Sequence, residues 1–191
     1  MYVARLKNTM KKFLIINDKL SIGGAEKLVF ELIQFSKQNN IEAKIVIIDN
    51  YNTEHYDALF IKMHVEIARV RLKSIKHFRK PIKMLTSLLW LIKLKYLSNF
   101  LYSSIHIIGL YNAEKVIGLI KHKHRFFWNV NNAAQFENQI YPVNDSIFHD
   151  TADTIININK YQKKELIAQY GNQSIKAKMI DFKLFISNDN N

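Results

Sequence analysis

The stretch Ile15-Ile16-Asn17-Asp18-Lys19-Leu20-Ser21-Ile22-Gly23-Gly24-Ala25-Glu26-Lys27 reads as the end of a buried strand, a short loop and the opening of a helix. Upstream, Lys12 to Asn17 is a continuous apolar run, the pattern of a strand covered on both faces of its sheet. Downstream, Ala25, Leu28, Val29, Leu32, Ile33 and Phe35 recur every three to four residues, which predicts a helix over Gly24 to Gln38 ended by Asn39 and Asn40. A strand that feeds a helix through Gly23 and Gly24 is the first unit of an α/β protein. The backbone N–H groups at such a helix start are unpaired and carry partial positive charge. Two glycines leave them accessible, so the local physics implies a small anionic ligand at the carboxyl ends of the strands. A turn that merely lets strand and helix pack closely is the plainer alternative. The pattern is neither GxGxxG nor a Walker A loop, because the third glycine and the Gly-Lys-Ser/Thr are missing.

The same alternation continues along the chain. Strands are expected at Ala43 to Ile48, Met63 to Val70, Ser104 to Leu110, Arg125 to Val130, Thr154 to Ile158 and Lys178 to Phe182. Helices are expected from Pro81 to about Tyr102, from about Asn112 to His122, in a short piece within Ser146 to Thr151, and from Lys160 to Tyr170 before Gly171. The implied fold class is α/β: a Rossmann-like parallel sheet with helices on both faces, in a single domain over residues 1–191 with a polar tail at 187–191. At 48% hydrophobic residues the chain has enough apolar content for a core. Without cysteine it has no disulfide framework, thiolate metal site or cysteine nucleophile. A reducing, cytoplasmic compartment fits this. Arg5, Lys7, Lys11 and Lys12 precede Phe13 to Ile16, but that apolar run is too short for a signal peptide and is followed by Asn17 and Asp18. Met10 is an alternative start.

The formal charge of +12 is unevenly spread. Between Ile61 and Phe100 lie ten basic residues and one acid, Glu66, a net of +9. Such a stretch suits phosphates, on lipid, nucleic acid or a lipid-linked diphosphate. The helix from Pro81 carries Lys83, Lys93 and Lys95 and is therefore not expected to span a membrane. It reads either as a helix packed on the sheet with an exposed lysine edge, or as a surface-docking element. In the second reading Arg79, Lys80, Lys83, Trp90, Lys93 and Lys95 form a membrane or anion patch. His106 is expected to be a satisfied core histidine. His122 and His124 are expected to belong to a solvated helix end, since no carboxylate accompanies them as a metal site would require.

The Gly23-Gly24-Ala25-Glu26 turn after the first strand resembles the retaining glycosyltransferases of the GT-B architecture, family 4 in particular. Ser104 to Gly109, Arg125 to Asn132, Ala152 to Asn159 and Lys176 to Phe182 are similar, more loosely, to successive strands of that family's N-terminal domain. The Ala152-Asp153-Thr154-Ile155-Ile156 segment is the more specific of these. Asn131 and Asn132 stand where the family often has a donor-contacting histidine, and Asn159 where it usually has serine.

The resemblance implies the N-terminal half of a GT-B enzyme, a hexosyltransferase-type transferase that uses a nucleotide sugar and needs no cofactor or metal. It implies Gly23, Gly24, Glu26, Asn131 and Asn132 as substrate-binding residues and leaves the catalytic residues unknown. The expected partners are a C-terminal Rossmann-like donor domain outside these residues and an anionic or lipid-linked sugar acceptor from cell-envelope polysaccharide or lipid-linked glycan synthesis. Peripheral contact with the inner face of the cytoplasmic membrane is a further expected partner, and the isolated chain is expected to be inactive. The alternative is a non-catalytic basic α/β binding domain for a membrane surface or nucleic acid. No nucleic-acid motif accompanies the charge, which disfavours the nucleic-acid version.

Overall fold

The computed structural model describes residues 11–48, 50, 52–70 and 81–183, with side chains in the last segment from Met84 onward. Seven strands form one sheet: β1 (Lys12–Asn17), β2 (Glu42–Ile48), β3 (Glu66–Val70), β4 (Ser104–Ile108), β5 (Arg125–Asn129), β6 (Asp153–Asn157) and β7 (Lys178–Asp181). Their order is β3-β2-β1-β4-β5-β6-β7, and every pairing is parallel. The α/β, Rossmann-like reading therefore holds. Parallel strands need crossovers that cover both faces. Helix α1 (Gly24–Gln38) and the short α2 (Asp57–Lys62) pack one face, around Ile15, Ile45, Ile47, Val29, Ile33 and Phe60. The other face is covered by α3 (Pro81–Ile92) with its continuations, α5 (Leu110–Val116) and α6 (Gln162–Tyr170). Its core holds Leu14, Ile16, Trp90, Leu94, Ile107, Val116, Phe127 and Leu166.

Helix α1 ends as its asparagines suggest. Asn39 Nδ2 donates to the Phe35 carbonyl at 2.8 Å, Asn40 takes φ 55°, and the Ile41 amide returns to the Ser36 carbonyl at 2.7 Å. Gly171 stops α6 with φ 79°, a backbone region glycine enters without strain.

Four elements differ from expectation. α2, at six residues, is too short to show a periodicity. β3 begins at Glu66, since His64 turns the chain at φ 56°. α5 closes at Val116, not His122. The helix from Pro81 is not regular: after α3 comes a π-helical turn, Lys93–Leu97, and then α4 (Ser98–Leu101).

The inward stripe of this long element is narrow: among its described side chains, Ser87, Trp90, Leu94 and Ser98 are the buried ones. Leu85, Leu88, Leu89, Ile92, Tyr96, Leu97 and Phe100 all face outward, Phe100 at 87% exposure. Trp90 is thus corrected from an interfacial anchor to a core residue, 6% exposed. The Lys93 ammonium lies 5.1 Å from its ring. No helix among the described residues is long and apolar enough to cross a membrane.

Two motif segments also resolve into packing. Arg125 and Asp153 are register partners on β5 and β6, and the guanidinium meets the carboxylate with Nε–Oδ1 at 2.6 Å and Nη2–Oδ2 at 2.8 Å. Arg125 also donates to the Ile120 carbonyl at 2.6 Å. Burial pushes the Asp153 carboxyl up, and the hydrogen bonds and charge of Arg125 oppose that. The aspartate of the Ala-Asp-x-Ile-Ile segment is therefore a fold device, a buried ion pair with its donors satisfied.

His122 is not a solvated helix end; it is buried and staples a loop. It accepts from the His124 amide at 2.9 Å through Nδ1, which leaves Nε2–H to donate to the Tyr102 carbonyl at 3.0 Å. Burial lowers its pKa.

His106 sits in the core as expected. Trp128 Nε1–H donates to its Nδ1 at 3.2 Å, so Nε2 carries the proton and donates to Ser104 Oγ at 3.0 Å. Burial takes its pKa down to about 4.

Candidate functional site

From β1 the chain runs outward to β2 and β3, then returns to β4 on the other side of β1. The switch point therefore lies between the carboxyl ends of β1 and β4, where crossovers diverge and leave a crevice. A cleft of about 660 Å³ opens there, within the range of small-molecule sites. Its walls come from the β1–α1 loop, the β4–α5 turn, the end of β5 and the Gln135–Val143 segment. Gly109 makes the β4–α5 turn at φ 86° and opens α5.

Gly23, Gly24, Glu26 and Asn131 all line this cleft. Gly23 has φ 179°, an extended conformation open to any residue. Its constraint is space: a Cβ there would run into the Glu26 carboxylate. Gly24 is the opposite case, since a Cβ built on it meets nothing within 4 Å. Close packing of strand and helix therefore does not require Gly24, which weakens the plainer account of the Gly-Gly pair. Gly24 itself is exposed and lines the cleft.

Asn132 is not in the cleft. Its side chain caps the 3-10 turn Ala133–Gln135, and its Oδ1 accepts from Asn159 Nδ2 at 3.0 Å. It borders an adjoining hollow with Asn159 and Gln162. The patch divides in a similar way. Arg79 and Lys80 lie outside the described residues, as does the side chain of Lys83, whereas Lys93 and Lys95 are exposed on the π-helical turn.

The cleft also gathers residues that sequence reasoning did not single out: Asn17, Asn112, Asn129 and Tyr141. Asn17 and Asn129 close apolar strands, and that switch from apolar to amide at a strand end was the available signal. Asn129 Nδ2 donates to Tyr141 Oη at 3.2 Å, and the Tyr141 hydroxyl donates to Glu165 Oε2 at 2.8 Å. This network fixes the far wall. Burial raises the Tyr141 pKa, so its hydroxyl stays protonated. Asn112 Nδ2 donates to the Ile108 carbonyl at 2.8 Å. Its Oδ1 and Glu26 Oε1 are buried without a hydrogen-bond partner among the described residues. Burial also raises the Glu26 pKa.

The charged residues on the cleft wall are Asp18, Lys19 and Glu26, the rest being amide, hydroxyl, glycine and apolar. That is two carboxyls against one ammonium in a chain of net charge +12. Amides and hydroxyls both donate and accept, as sugar hydroxyls do. Among the described residues no three His, Asp or Glu side chains come together as a metal site would need. No protein-family model matches this chain. A search of curated proteins also finds no match.

Proposed function

We propose that this chain is the acceptor-binding domain of a nucleotide-sugar-dependent glycosyltransferase acting in cell-envelope polysaccharide or lipid-linked glycan synthesis. The observation that carries the reading is the switch-point cleft, opened by a Gly24 that packing does not require and walled by Asn17, Asn112, Asn129, Asn131 and Tyr141. Neutral groups that both donate and accept suit a polyhydroxyl ligand better than a bare anion. In this reading Gly23 and Gly24 admit the acceptor to the start of α1, and Asn131 and the Tyr141 network fix its orientation. A Rossmann-like donor domain would supply the nucleotide sugar and complete the reaction centre.

The second part of the reading places this domain at the inner face of the cytoplasmic membrane. Its support is the outward face of α3 to α4, where Leu85, Leu89, Ile92, Tyr96 and Phe100 are exposed beside Lys93 and Lys95. An apolar helix face edged by lysines matches an anionic lipid surface. Phe100 and Tyr96 take the anchoring role in place of Trp90.

The test is saturation-transfer binding of a panel of mono- and disaccharides to the wild type and to Gly24→Leu, with a short RNA as control. Saccharide signals that are lost in Gly24→Leu are expected. RNA binding without any saccharide signal would support the basic binding domain instead.

A further inference from the structure

Two buried acceptors on residues that line one cleft specify what kind of atom completes them. Asn112 is fixed in orientation, because its Nδ2 donates to the Ile108 carbonyl, so its Oδ1 offers only lone pairs. Glu26 lines the same cleft, and its buried Oε1 is also without a partner among the described residues, with the residue 1% exposed. Buried acceptors left unpaired carry a desolvation penalty of about 1–3 kcal/mol each, larger when charged. A phosphate brings further acceptors and negative charge and relieves neither. A hydroxyl supplies one donor. An ammonium supplies three donors and a compensating charge.

The wall's charge points the same way. Asp18 and Glu26 share the wall with Lys19, while Glu54, which does not line it, is tied to Arg69 and the Leu20 amide. The cleft is thus locally acidic within a strongly basic chain.

We infer that the cleft takes an amine-bearing sugar, whose protonated amino group binds between Glu26 and the Asn112 side-chain carbonyl. This rests on the reading of the cleft as a saccharide site and narrows it to hexosamines with a free amine. An N-acetylated sugar offers a single amide N–H and no charge, so it is disfavoured. An ammonium beside Glu26 favours its ionised form and so opposes the burial that raises its pKa.

The experiment titrates the ¹⁵N-labelled chain at about pH 6.5, where the amine is protonated, with glucosamine, glucose, N-acetylglucosamine and pyrophosphate. Wild type and Glu26→Gln are compared. Glucosamine is expected to bind about tenfold more tightly than glucose, the worth of one charge-assisted hydrogen bond. Glu26→Gln is expected to bring the two within about twofold while its melting temperature is kept or raised. Acidification of the wild type gives an independent readout, since the glucosamine advantage shrinks as Glu26 is protonated. Equal binding of glucose and glucosamine at the cleft overturns the inference and leaves the saccharide reading standing. Tighter binding of pyrophosphate overturns the inference, and absence of every saccharide from the cleft overturns both.

Discussion

Gly23 and Gly24 are adjacent, yet they are held by different constraints. A Cβ on Gly23 meets the Glu26 carboxylate, so Gly23→Ala must displace a cleft side chain. A Cβ on Gly24 meets nothing beyond its own helix turn within 4 Å. Gly24→Ala is expected to leave stability unchanged or raise it by up to about 1 kcal/mol, because alanine favours the helix. A larger side chain at that position is expected to block the proposed ligand. A melting temperature lowered by several degrees in Gly24→Ala would show that packing, not ligand access, holds the glycine.

His106 makes a second prediction at this scale. Its folded pKa is about 4 against 6.5 for the free side chain. On acidification the unfolded chain takes the proton first, so stability falls as pH drops from 6.5 towards 4. The full effect is on the order of 3 kcal/mol. Denaturant titrations across this range should show the loss in the wild type and a flatter profile in His106→Phe. An identical slope in both proteins would refute the assignment.

At the scale of elements, the residues from Pro81 to Leu101 invert the usual amphipathic design. Among the described side chains, two of the four buried positions in their inward stripe, Ser87 and Ser98, are polar, while leucines, Ile92, Tyr96 and Phe100 face outward. Wild-type protein is expected to bind vesicles containing an anionic phospholipid and to release them as salt rises. Leu85→Ser/Leu89→Ser/Phe100→Ser should weaken that binding at least about tenfold with little change in melting temperature, since these side chains are already exposed. Absence of salt-sensitive vesicle binding by the wild type would remove the membrane from the account.

This element also shows where sequence reading stops. β1 and α1 were legible because a continuous apolar run and a one-sided helical stripe each fit one structure. The Pro81 helix is apolar on more than one stripe, so periodicity could not say which face is buried, and only the surface-docking reading of it put Trp90 outward. The π-helical turn at Lys93–Leu97 then shifts the register between its two ends. His122 and Asn132 were misplaced for a related reason. Their partners, Tyr102 and Asn159, lie 20 and 27 residues away, and no local pattern encodes such contacts. Within the cleft, Gly23 and Gly24 were readable from one turn, whereas Glu26 and Asn131 came only with the family resemblance. Asn112 and Tyr141 reach the cleft through tertiary packing alone.

For the molecule as a whole, strand order and cleft position are one fact. The return of the chain from β3 to β4 beside β1 creates the crevice, and the Gly-Gly turn and strand-end asparagines stand at its rim. Lys93, Lys95 and the exposed apolar side chains of α3 to α4 do not line the cleft, so the proposed acceptor binding and the proposed surface docking can be tested separately. The most direct measurement is amide chemical-shift mapping of the ¹⁵N-labelled chain with a saccharide ligand. The account predicts perturbations at Gly23, Gly24, Gly109, Asn112 and Asn131, with the outward face of α3 to α4 unaffected. Perturbations confined to other surfaces, or none with any saccharide, would contradict it.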